Sequence, residues 1–176
     1  PQIGKVLVRS LFDRTIFVLG RAVTVAAPAG LVIWLMANLQ VGDSTVLAVC
    51  AEFLDPLGRF FGMDGAIILA FILGFPANEI VVPIMLMIYM GQNTLTEAGD
   101  TAMLADILGQ NGWTWVTALC VMVFMLCHFP CSTSCLTIKK ETGSWKWTAA
   151  AMVIPTVTGL VICAVISWSA RILWII

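Results

Sequence analysis

A chain of 176 residues that is 60% hydrophobic and only 11% charged, with a mean hydropathy of +1.00, lies far from the soluble norm of roughly a quarter charged residues. This composition excludes an ordinary soluble domain and suits a bilayer. The net charge of −1 singles out no partner, and nothing in the chain calls for nucleic acid.

Residues 22–42, 80–96, 107–138 and 147–170 contain no Asp, Glu, Lys or Arg. About 20 apolar residues cover the hydrocarbon thickness, so at least three crossings are expected. Trp34, Trp113, Trp115, Trp145, Trp147 and Trp174 fall near the ends of these runs, where an amphipathic ring settles at the interface. The expected fold is an all-α, polytopic membrane bundle with broken or re-entrant helices, read as one transmembrane gate-type domain over residues 1–176. The chain opens on Pro1 with neither an initiator methionine nor a signal-peptide pattern, and the expectation is a piece of something longer. Six cysteines, four of them in apolar runs, suit free thiols better than a disulfide framework.

In chain order, Lys5, Arg9 and Arg14 precede the first apolar run and place this end on the cytosolic side. The first crossing is predicted over residues 15–39, with a kink at Pro28; Arg21, near its start, reads as a snorkelling side chain. Residues 43–64 carry Asp43, Glu52, Asp55 and Asp64 against one Arg59 and belong outside. Within them the apolar spacing over residues 46–61 predicts an amphipathic helix lying in the interface.

Residues 65–90 would cross as one piece, but G-F-P-A-N-E at residues 74–79 cuts them into two arms of about ten residues, each too short to span about 30 Å at 1.5 Å per residue. The segment is therefore a broken crossing or a re-entrant hairpin. Acidic residues at both flanks, including residues 92–106, favour the hairpin. Residues 113–138 then cross inward to a basic loop of Lys139, Lys140 and Lys146, expected in the cytosol, and residues 147–170 cross back.

Two stretches bear the chemistry. Phe75-Pro76-Ala77-Asn78-Glu79 and Phe129-Pro130-Cys131 each put Phe-Pro inside an apolar run and follow it with side chains able to meet a cation. Paired interruptions of this kind point to a transport site, and the two stretches are expected to face each other across an ion route. Glu79 has apolar sequence on both sides, where a charge costs about 2.5 to 3.5 kcal/mol, so it is expected to be paired, protonated or functional. Cys127, Cys131 and Cys135 recur every four residues and would share one face of an unbroken helix. With His128, Thr133 and Ser134 nearby, thiolate and imidazole favour a borderline first-row metal over an alkali ion. The metal candidates are thus Cys131, Glu79, Cys135, His128, Cys127, Asn78 and Ser134, while Cys50, Cys120 and Cys163 read as small buried hydrophobes. The chain contains no P-loop, nucleophile elbow or H-E-x-x-H motif, so no catalytic site and no bound cofactor are expected.

The runs D-R-T-I-F-V-L-G-R-A (13–22), A-A-P-A-G (26–30), L-D-P-L-G-R (54–59), G-F-P-A-N-E-I-V (74–81) and F-P-C-S-T-S-C-L-T-I-K-K-E-T-G-S-W-K-W (129–147) resemble the membrane part of the bacterial ferrous iron transport protein B family, at its second gate module and C-terminal end. The resemblance implies Fe²⁺ as the transported ion, uptake across the cytoplasmic membrane by a multi-pass bacterial protein, and Cys131, following the proline, as a lining residue of the route. It also implies an N-terminal GTP-binding domain and a first gate module outside these residues, together with a possible homo-oligomer. Two positions depart from the family pattern: Ser132-Thr133-Ser134 stand where many members have a small residue and threonine, and Asn78 where many have lysine. A nucleoside-type carrier on the same module, a membrane thiol oxidoreductase using Cys131 and Cys135, and a scaffold for a missing partner are the competing readings. The first would need amide and carboxylate hydrogen bonding instead of thiols, and the second lacks a C-x2-C pair.

Overall fold

The computed structural model describes residues 3–42, 44–92 and 100–173 and, along the first helix, the side chains of residues 12, 15, 16, 19, 20 and 22 onward. The expected role of Arg21 and residues 93–99 of the acidic segment 92–106 therefore lie outside the described residues. Apart from one two-residue hairpin the described chain is helical, as an all-α membrane protein requires.

The first helix, α1 (Ile3–Asn38), is longer than the predicted crossing and contains Pro28 within it. Nothing between Lys5 and Val18 breaks a helix, so the turns before residue 15 simply continue it. Pro28 deprives the ladder of one bond. Of its described side chains only Ile33 and Ala37 are buried, so α1 joins the rest of the molecule by its last turns. A tight antiparallel ribbon, β1 (Gln40–Val41) with β2 (Ser44–Thr45), reverses the chain at Gly42, whose φ of +68° suits glycine. The Thr45 hydroxyl then accepts the Ala48 amide (3.2 Å) and caps α2 (Val46–Phe60).

The amphipathic helix predicted over residues 46–61 forms as α2, which meets α3 (Gly65–Leu73) at a 108° bend. Small residues dictate this. A β-carbon on Gly65 would fall 1.8 Å from the Ala51 carbonyl oxygen, and one on Gly58 would fall 2.5 Å from the Asp64 carbonyl. With no side chain at either place the two backbones touch, which is how helices associate where lipid removes any hydrophobic drive between them. Residues 65–71 are buried without exception, as expected of a helix that is apolar all round.

The ambiguity over residues 65–90 is resolved as a hairpin. From the end of α3 the chain turns through 74–77, makes one 3₁₀ turn (Asn78–Ile80) and returns as α4 (Val81–Met90). The arms are antiparallel, because Asp64 at the start of α3 accepts a hydrogen bond from the Tyr89 hydroxyl at the end of α4. Trp113 Nε1 donates to the same Tyr89 oxygen (2.8 Å) and pins the chain just before α6 at that level. Phe71 and Ile67 from one arm and Ile84 and Met87 from the other are fully buried in the core.

After α5 (Thr101–Gln110) come α6 (Trp115–Cys127), a break at residues 128–131, and α7 (Ser132–Thr142); α8 (Trp145–Ile172) closes the bundle. Among the described residues two helical stretches are long and apolar enough to cross a membrane, Trp115–Thr142 and Trp145–Ile172; the bent α2–α3 pair would make a third. Lys139 reaches over the Trp145 ring, 3.7 Å from its centre, and fastens the basic loop. Along the α6–α8 seam Cys120 and Cys163, both fully buried, exchange thiol-to-carbonyl contacts of 3.7 and 3.3 Å. Beyond filling space, these thiols tie two helices together.

Candidate functional site

The two Phe-Pro stretches meet. The Ser132 amide, first in α7, donates to the Phe75 carbonyl (3.0 Å), the Ser132 hydroxyl donates to the Pro76 carbonyl (3.4 Å), and the Phe75 and Phe129 rings stand edge to face at 5.4 Å. The hairpin tip thus supplies the acceptor that the start of α7 cannot find within its own helix. Ser132 is the residue that sequence reasoning undervalued. A lone serine after Pro-Cys carries no signal that its partners lie 56 residues away.

The meeting point has a definable depth. Gly159 packs on the end of α6, where a β-carbon would come 2.8 Å from Cys127 Cβ and 3.2 Å from a Phe124 ring carbon. Gly159 lies at the middle of the 28-residue α8, which at 1.5 Å per residue is about 42 Å long and puts the contact about 20 Å from either end. A hairpin entering from the Tyr89 end and a break in the opposite helix therefore converge near mid-bundle, the place where irregular backbone is tolerated only against protein or a wet cavity.

The seven candidate residues separate in space. Cys127, Cys131 and Cys135 do not share a face, because α6 stops at Cys127 and α7 begins at Ser132. Cys127 packs on Gly159, Cys135 turns its thiol back to the Pro130 carbonyl (3.3 Å), and Cys131 stands at the break with Thr133 Oγ1 at 3.1 Å and Ser134 Oγ at 3.3 Å. Asn78 opens the 3₁₀ turn with its Oδ1 buried and without a hydrogen-bond partner. Glu79, beside it, is exposed and makes no ion pair among the described residues. Its flanking apolar sequence does not bury it, since it falls in the 3₁₀ turn at the hairpin tip.

His128 ends α6. Its Nδ1 lies 2.9 Å from the Met125 carbonyl, which can only accept, so in the neutral ring Nδ1 bears the proton and Nε2 keeps a free lone pair. That Nε2 is buried and unpartnered, and the ring is enclosed by Phe71, Phe124 and Phe129 at centroid distances of 5.2, 6.1 and 5.3 Å. A histidine whose other nitrogen is fixed on a backbone carbonyl is the usual arrangement for a metal ligand. Among the described residues no three His, Cys, Asp or Glu side chains come together as a metal cage.

A family model described as "Gate: Nucleoside recognition" matches residues 19–145. The Fe(2+) transporter FeoB of Staphylococcus aureus strain MSSA476 is 34% identical over 170 residues, covering 90% of this chain and 24% of that protein, and the protein of strain COL is 33% identical over the same length. A Fe(2+) transport protein A/Fe(2+) transporter FeoB fusion protein of Porphyromonas gingivalis is 23% identical over 123 residues, 66% of this chain and 15% of that protein. The chain spans about a quarter of the length of the curated relatives it matches first. No solved structure matches.

Proposed function

The chain belongs to the gate family and, within it, to the FeoB proteins, and from that premise we propose that it forms part of a route for Fe²⁺ across the membrane, as the C-terminal gate module of a longer multi-pass transporter. The observation that carries this reading is the closure of two broken helices on each other, with Asn78 Oδ1 and His128 Nε2 left unpartnered. An amide oxygen, an imidazole lone pair and the Cys131 thiol, backed by Ser134, form a mixed donor set that suits a borderline divalent ion. Ligands spread along the break, and not gathered into a cage, bind such an ion weakly enough to release it, as conduction requires.

In this reading Fe²⁺ is the cargo, Cys131 is its main protein contact, and Glu79 at the exposed tip receives or hands on the ion. The loop of Lys139, Lys140 and Lys146 faces the cytosol, the bilayer is the cytoplasmic membrane, and a GTP-binding domain with a first gate module lies elsewhere in the full-length protein, which can associate with further copies. The nucleoside reading has the family model's description in its favour, but the thiols at the break argue against it. The thiol oxidoreductase reading loses its pair, since Cys135 is turned to Pro130. Fe²⁺ flux by the full-length protein in liposomes under reducing conditions, set beside thiol–disulfide exchange on a model dithiol, tests the assignment. Flux without exchange is expected, and exchange without flux overturns it.

A further inference from the structure

The chemistry proposed above lies at mid-bundle, but a separate cavity opens between the ends of α2, α3, α6 and α8. It holds about 390 Å³ and is lined in part by Asp55, Arg59, Asp64, Thr117, Ser167 and Arg171. A second space of about 360 Å³ adjoins it, shares Asp55, Arg59 and Asp64, and adds Glu52 and Tyr89. Because α8 starts beside the basic loop and ends at this cavity, the two features lie at opposite ends of the bundle.

We propose that this cavity is a vestibule that binds a hydrated divalent cation; the identification of that cation with the transported ion rests on the reading above. Six waters at about 30 Å³ each need on the order of 180 Å³, so an ion with its full inner shell fits. The absence of any three-ligand His, Cys, Asp or Glu group among the described residues means that no cage strips those waters, and the recognised species is the aquo ion.

Three features build the site. Asp55 and Asp64 are fixed by backbone amides, Gly65 N–H on Asp55 (3.3 Å) and Ile67 N–H on Asp64 (2.8 Å), and both belong to the lining that the two spaces share. Ser167 is 1% exposed, and its hydroxyl has no hydrogen-bond partner. Neighbouring hydroxyls on α8 are absorbed into the helix by the carbonyl four residues back, as in Ser169 to Val165 and Thr158 to Ile154. For Ser167 that carbonyl is Cys163, which already receives the Cys120 thiol. Its hydroxyl lies instead against Gly62, where a β-carbon would fall 3.1 Å from Ser167 Oγ, an unpartnered polar group in the lining of the cavity.

Arg59 is the third feature. It bridges to Asp55 with a side chain that is 75% exposed, a pairing weak enough for a divalent ion to displace. Arg171 donates to the Arg59 carbonyl, which directs its own charge at a backbone oxygen and not at the carboxylates. Arg59 thus occupies the vestibule as a monovalent stand-in until an ion with twice its charge arrives.

The test is Mn²⁺ binding to the full-length protein in detergent, followed by loss of the free aquo-ion signal in electron paramagnetic resonance. Mn²⁺ prefers oxygen and reports the vestibule in preference to the thiols. Asp55→Asn should weaken binding about tenfold, the loss of one charge-assisted contact. Arg59→Gln should tighten it several-fold, an outcome that a misfolded protein cannot mimic. Affinity that Arg59→Gln does not raise and Asp55→Asn does not lower overturns the proposal. A wild-type protein that binds Mn²⁺ in the expected pattern yet moves no Fe²⁺ keeps the vestibule and sinks only the transport reading.

Discussion

Tyr89 and Asp64 lie 25 residues apart, and the hydroxyl of one donates to the carboxylate of the other while accepting from Trp113 Nε1. Three chain segments are fastened at one oxygen. Replacing Tyr89 with Phe removes that oxygen and leaves the indole N–H without its partner. The expected result is a loss of about 1–3 kcal/mol, the usual consequence of orphaning a part-buried group. Thermal unfolding followed by tryptophan fluorescence reads it, and an unchanged midpoint would mean that the hairpin is held by packing alone.

Glycines that permit backbone contact should separate cleanly from those that do not. Gly65→Ala drives a methyl into the Ala51 carbonyl, and Gly159→Leu pushes the break away from α8, so both should abolish folded yield in detergent. Gly109, with open space around its missing β-carbon on α5, should accept alanine with a gain of up to about 1 kcal/mol. Equal yields for Gly65→Ala and Gly109→Ala would refute the α2–α3 contact.

Cys131→Ser keeps the volume of the side chain and replaces sulfur with a harder oxygen. Folding should survive, Fe²⁺ uptake should fall about tenfold, in line with losing a metal-supporting group, and competition should shift from Zn²⁺ toward Mn²⁺. Cys50, half-buried on α2 and outside either break, is the control. Cys163 is a poor one, since its thiol and carbonyl both engage Cys120. Unaltered uptake and metal competition in Cys131→Ser would make this thiol a packing group.

Glu79 is exposed, so Glu79→Gln should leave the folded yield intact and lower uptake, with Glu79→Asp closer to wild type. Matching uptake in the two variants removes Glu79 from the route.

The orientation is open to direct measurement. A single cysteine placed at position 140 in intact cells should resist an impermeant thiol reagent until the membrane is breached. Rapid labelling from outside would invert the assigned sidedness, including that of the vestibule.

Composition and the spacing of charges were enough to read the helical bundle, the broken segments at residues 74–79 and 128–131, and their apposition. Prolines and glycines within apolar runs leave few other solutions. Two features became visible only in three dimensions. The amphipathic pattern over residues 46–61 forms a helix, and what seats it against α3 is a glycine, Gly65, whose effect is felt only once two backbones are side by side. The cysteines at 127, 131 and 135 would share a face only on a continuous helix, and the break at 128–131 separates them. The vestibule was illegible because Asp55, Tyr89, Trp113 and Ser167 are brought together by three-dimensional folding from four different parts of the chain, none with a local motif.

The Ser132 amide and the Phe75 carbonyl satisfy each other across the seam. Pulling the hairpin away from α7 would strand both groups, at about 1–3 kcal/mol each, unless something polar took their place at the same moment. Parting the seam and wetting it are therefore a single event, and a dry, half-open gap is the least stable arrangement this module can adopt.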